Sequence, residues 1–164
     1  MFVNQMWPDV TQKTEVLNQL TVGKTVEINH QTIEIPVIAG LSCDLTETWM
    51  LRILEQLFQE QEGVFLDVGI NLGQTLIKVK GVDPKRKYIG FEPNPTCVFY
   101  VKELIKENQF KDCTIFPVGL FTEDTVLLLE CIGDTEVDSA ASLIQNFRPC
   151  LLYTSPSPRD VEES

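Results

Sequence analysis

The spacing of hydrophobic and polar positions changes several times along the chain, and each change marks an element. From Thr25 the residues alternate: Val26 and Ile28, then Ile33, Ile35 and Val37, share one face, with Asn29-His30-Gln31 between the two runs. Period-two alternation around a polar turn predicts a β-hairpin, placed as an N-terminal cover on the main domain. His30, the only histidine, falls at its tip, where a solvated turn explains it better than catalysis. Residues 1 to 22 are mixed and polar, with a turn at Trp7-Pro8-Asp9 and a weak helical patch around Val16–Leu20. After the hairpin, Trp49/Met50, Ile53/Leu54 and Leu57/Phe58 recur every four residues, the period of one helix face. Asp44 and Glu47 resemble a capping box. A helix is therefore expected up to Gln61, its apolar stripe packed into the core, with Gly63 ending it.

Val64–Val68 reads V-F-L-D-V without alternation, which suits a parallel strand buried on both faces. A short helix is predicted after Gly73 to about Lys80, then a D-P turn at Asp83–Pro84 and a solvated basic loop, Lys85–Lys87. Tyr88–Phe91 is a second parallel strand. Asn94 caps and Pro95 begins the next helix, which carries Val98, Val101, Leu104 and Ile105 inward and ends near Asn108. Thr114–Val118 is a third strand and Thr125–Cys131 a fourth, after a polar turn at Thr122–Asp124. Gly133–Ser142 reads as a loop and Leu143–Phe147 as a helical turn. Pro149, Pro156 and Pro158 then exclude regular structure at the end. This order points to an α/β fold.

The stretch from Val64 to Pro95 carries the chemistry. A strand holding Asp67 meets a turn with Gly69, Asn71 and Gly73 at alternate positions, and the next strand ends in Glu92, about the spacing of a βαβ nucleotide site. Small residues let backbone amides approach a ligand, and the helix after Gly73 aims its N-terminal amides there. Glu92 can accept hydrogen bonds from both hydroxyls of a ribose. A dinucleotide fingerprint requires G-x-G-x-x-G, whereas D-V-G-I-N-L-G has Asn71 at its centre. Asp67 would repel a pyrophosphate but can hold a cationic amino group. S-adenosylmethionine has such a group and no phosphate.

Composition narrows the partners. With 164 residues and 43% hydrophobic content the chain can bury a core. A formal net charge of −11 opposes binding to a nucleic-acid backbone, leaving a small molecule as the expected partner. The five cysteines (Cys43, Cys97, Cys113, Cys131 and Cys150) form no C-x-x-C and have no histidine nearby. They suggest neither a disulfide framework nor a metal site, and read as reduced, mostly buried thiols. No apolar run approaches the ~18 residues of a membrane span, and no secretory signal is visible. The cytoplasm is the expected location.

The blocks F-L-D-V-G-I-N-L-G-Q-T-L at 65–76, Y-I-G-F-E-P-N-P at 88–95 and I-F-P-V-G-L at 115–120 resemble the FkbM-family methyltransferases, as do the Trp49-Met50 pair and A-S-L at 141–143. The likeness covers roughly residues 30 to 149. It implies a Rossmann-like methyltransferase domain over 25–149, after an N-terminal segment 1–24, using S-adenosylmethionine to methylate a hydroxyl of a small molecule or sugar. By resemblance Asp67, Gly69, Asn71 and Gly73 line the methionine end of the cofactor, Glu92 binds the ribose, and Val118 and Gly119 lie near the adenine. No catalytic base is assigned: Asp112, Asp124, Asp134 and Asp138 read as turn residues, and Glu130 is only slightly better placed. The rivals are a nicotinamide-dependent oxidoreductase and a non-catalytic binding module.

The chain departs from the family after its fourth strand. The family's next strand, L-K-I-D-x-E-G, and the segments that build the acceptor pocket are not present, and Cys150–Asp160 resembles translated sequencing-adapter read-through, so 150–164 is expected to be a disordered, non-native tail. In the family's sheet the missing strand pairs with Val64–Val68, so an open apolar edge is expected there. The resulting hypothesis is a poorly soluble, inactive polypeptide. Sedimentation and calorimetry test it: a soluble monomer binding S-adenosylmethionine with roughly micromolar affinity contradicts it.

Overall fold

The structure is a computed structural model that describes residues 23–123. The helical patch at Val16–Leu20, the strand at Thr125–Cys131, and the turn and tail expected after it lie outside the described residues.

Strands β1 (Lys24–Ile28) and β2 (Gln31–Ile35) pair antiparallel with Val26 opposite Ile33. Asn29 and His30 make the two-residue turn with φ of 48° and 66°, the doubly left-handed geometry that matches strand twist. Ile28, Ile33 and Ile35 are buried while His30 is exposed, as the alternation predicts. The hairpin lies on helix α2 (Gln74–Val82). A Cβ added to Gly81 would stand 2.6 Å from Ile28 Cβ, so glycine is what permits this close approach.

Helix α1 (Trp49–Glu60) precedes strand β3 (Val64–Val68). Its start differs from the expected capping box. Thr48 occupies the cap without a side-chain hydrogen bond, because Asp44 is paired with Lys24 and Glu47 with Lys78 at 3.4 Å. Its stripe divides as well. Leu54 is buried and Met50 and Phe58 pack on the core, but Trp49, Ile53 and Leu57 are exposed, Trp49 by 60%.

Strands β3, β4 (Lys87–Phe91) and β5 (Cys113–Phe116) form a parallel sheet in that order, with Asp67 opposite Gly90 and Phe91 opposite Phe116. Helices α2 and α3 (Pro95–Glu107) make the crossovers. Because the strand order advances one way, right-handed crossovers place both helices on one face. There Leu76, Ile77, Val79, Val98, Val101 and Leu104 are buried, with Tyr88 beneath them. Asn94 caps α3 by accepting from Thr96 N at 2.9 Å, and Pro95 comes directly after it, as expected.

The other face corrects the expectation of a doubly buried strand. Val64, Leu66 and Val68 are exposed, Leu66 by 62% and Val68 by 63%, and Phe116 is exposed in line with them. Strand β3 is also an edge of the described sheet. The Lys85–Lys87 loop is likewise not simply solvated. Lys87 opens β4, and the Arg86 guanidinium stacks 4.1 Å over Phe58. It also pairs with Asp83 and donates to the carbonyls of Gln61 and Gly63, tying the end of α1 to the crossover turn.

Two further side chains hold the hairpin segment to α3. Asn108 exchanges hydrogen bonds with the backbone of Glu34, accepting from its N–H at 2.8 Å and donating to its carbonyl at 2.7 Å. The Tyr100 hydroxyl donates to Pro36 O and accepts from Cys43 N, both at 2.8 Å and both buried. Burial pushes the Cys43 thiol up to about 12. Tyr100→Phe strands a buried amide and a buried carbonyl, and should cost about 1–3 kcal/mol in urea unfolding; an unchanged midpoint would show that water replaces the hydroxyl.

Candidate functional site

The C-terminal ends of β3 and β4 gather the residues singled out from the sequence. The chain leaves β3 through Gly69 (φ 84°), Ile70, Asn71 (φ 51°), Leu72 and Gly73 (φ 88°). Three left-handed residues at alternate positions coil the loop tightly, and glycine at two of them avoids the Cβ penalty. The two glycines differ in their surroundings. A Cβ on Gly69 would meet nothing within 4 Å, whereas one on Gly73 would sit 3.0 Å from Leu104. Gly69 therefore faces open space, and Gly73 lets α2 begin against α3. Ile70 is buried between them, its side chain filling the place where Gly90 has none.

Glu92 closes the loop. Its Oε2 accepts from Asn71 N and its Oε1 from Asn94 N, each at 2.8 Å. The residue is 7% exposed. Each carboxylate oxygen thus has one amide donor and keeps a further acceptor position. The Asn71 side chain in turn faces α3, where the Cys97 thiol donates toward its Oδ1 at 3.7 Å. Gly69 N and Ile70 N both donate to Phe91 O, at 2.9 and 3.3 Å, so the loop is laced to the end of β4 by backbone as well as by Glu92.

Asp67 is placed differently. By strand alternation it shares the helix-covered face with Phe65, and it accepts a hydrogen bond from the Tyr88 hydroxyl. Burial holds its carboxyl above the usual 3.8, and the charge of Glu92 adds to this, while Tyr88 and Lys78 act in the opposite sense. Tyr88 is fully buried and stacked on Phe65 with centroids 6.0 Å apart, and burial beside Asp67 raises its own phenol. Tyr88 did not stand out as a site residue. The signal was its parity: Phe65 and Asp67 on one strand and Tyr88 on the next must share a face once the parallel register is set.

The structure thus brings Gly69, Asn71, Gly73 and Glu92 into one loop assembly, with Asp67 beneath it on the inner face of the sheet. Phe91 and Phe116 stack 5.3 Å apart on the bare face beside it, and Val118 and Gly119 come after β5 at the same end. No helix among the described residues is long and apolar enough to cross a membrane. No family model and no curated protein matches the chain.

Asp67 has a pH signature. Between 3.8 and its raised folded value the native state holds more protons than the unfolded chain, so this group's contribution to stability falls as pH rises through that window. Asp67→Asn removes the titration. The stability of the variant relative to wild type should rise from about pH 3.5 to about pH 7 in urea titrations; a flat difference would place Asp67 in a solvated environment instead, and a falling one would show its carboxylate stabilised by the fold.

Proposed function

We propose that this chain carries the cofactor-binding portion of an S-adenosylmethionine-dependent methyltransferase of the FkbM type, acting on a hydroxyl of a small molecule or sugar. The observation that carries the reading is the bond from Asn71 N to the Glu92 carboxylate. It joins a left-handed glycine loop at the end of one parallel strand to an acidic residue at the end of its neighbour, the position where open α/β sheets bind ligands. The partly unused acceptor capacity of Glu92 suits ribose hydroxyls, and the open space over Gly69 leaves backbone accessible to a ligand.

Two carboxylates at this end of the sheet, Asp67 and Glu92, oppose a pyrophosphate and suit a cationic ligand. When bound, S-adenosylmethionine would supply an electrophilic sulfonium methyl carbon: an acceptor hydroxyl oxygen would bond to that carbon as the carbon–sulfur bond breaks in line, leaving the neutral thioether and releasing the hydroxyl proton. The role left to this chain is to bind and orient the nucleoside. No base is assigned among the described residues. The methyl acceptor belongs to a part of the site that they do not build.

Hydrogen exchange at dilute protein tests the reading on the full chain. With about 1 mM S-adenosylmethionine, an affinity scale of roughly −4 kcal/mol, the peptide spanning 67–73 should gain protection, and about 1 mM NADH should leave it unchanged. Protection by NADH alone would favour the oxidoreductase reading. Protection by neither would leave a glycine turn with no nucleotide function.

A further inference from the structure

A cleft opens at the end of the parallel sheet away from the glycine loop, where β4 and β5 begin. It has a volume of about 470 Å3 and lies between the hairpin, the crossover turn after α2 and the segment before β5. That size falls in the range of small-molecule sites.

Its lining reverses the charge of the chain as a whole. Lys80, Lys85 and Lys111 line it, with Asp112 as the one acidic residue, in a chain of net charge −11. Lys80 is the unusual member. It is 1% exposed, and its Nζ donates to the carbonyls of Pro84 at 3.4 Å, Arg86 at 2.7 Å and Lys111 at 2.6 Å.

Those acceptors take all three ammonium protons but carry no formal charge. The ion pairs among the described residues do not include Lys80. A buried ammonium without a counter-ion is costly, and an anion in the adjoining cleft would offset that cost. Tying three carbonyls together accounts for the hydrogen bonds of Lys80. It leaves unexplained the uncancelled charge and the two lysines gathered beside it. Gln31 and Gln109 also line the cleft and offer neutral amide donors.

We infer that this cleft binds a small anion, a compound bearing a phosphate or carboxylate group, at a site separate from the glycine loop. Inorganic phosphate and succinate are the probes, in separate titrations of the full chain against sodium chloride at matched ionic strength, read by hydrogen exchange over residues 108–113. Saturable protection by either probe, absent with chloride, is the expected result, and the probe that acts identifies the group recognised.

The double variant Lys85→Glu/Lys111→Glu changes only surface charge on the wall and should weaken that binding about tenfold or more. Lys80→Met should abolish it. Because Lys80→Met also removes three internal hydrogen bonds, the surface pair decides if that variant does not fold. The inference is overturned if neither probe gives a saturable response, or if the response survives the surface pair unchanged.

Discussion

The Glu92 carboxylate, with a backbone amide on each oxygen, joins three pieces of chain that would otherwise end apart. Asn71 N belongs to the loop after β3, Asn94 N to the entry of α3, and Glu92 itself to the end of β4. Charge-assisted bonds to backbone amides are stronger than neutral ones, and at 7% exposure they face little competition from water. The loop after β3 and the entry of α3 are both bonded to the end of β4 through this one side chain. Structure and proposed binding therefore draw on the same group. A carboxylate already held by amides is pre-oriented, and its remaining lone pairs are what a ribose would find.

Around this centre the layers are unequal. One face of the parallel sheet carries α2, α3 and, beyond them, the hairpin, and nearly all the buried apolar side chains lie there. The opposite face presents Val64, Leu66, Val68 and Phe116 to solvent. A sheet in an α/β fold normally has both faces covered, so this apolar face and the edge that β3 forms among the described residues are where association is most expected. The exposed row Trp49, Ile53 and Leu57 on α1 adds a second apolar surface. The helix-covered side, by contrast, is tied by side chains that bond to backbone: Tyr100 to Pro36 and Cys43, Asn108 to Glu34, Arg86 to Gln61 and Gly63. Each replaces a ladder bond where two elements meet without sharing a sheet.

Much of the element order was legible along the chain because it rests on local rules. Alternation located both hairpin strands, Asn94-Pro95 announced the start of α3, and the glycines at 69 and 73 marked a turn that only left-handed residues make. Failures came where a local signal had a distant competitor. Asp44 and Glu47 had the spacing of a cap, but Lys24 and Lys78, from other elements, took their carboxylates. Lys85–Lys87 had the composition of a solvated loop, yet Phe58 offered Arg86 an aromatic face.

By itself the sequence determined the βαβ order, the presence of a turn at Gly69, Asn71 and Gly73, and the two acidic residues that accompany it. All of these arise from backbone sterics and from the spacing of apolar residues. Tertiary structure alone decided what those residues face. An apolar run such as Val64–Val68 reads the same whether one face or both are covered, because coverage depends on where the crossovers place their helices. Parallel register set Asp67 beside Tyr88, and the fold of the loop set Glu92 against Asn71. These are contacts between segments some twenty residues apart, which no local pattern encodes.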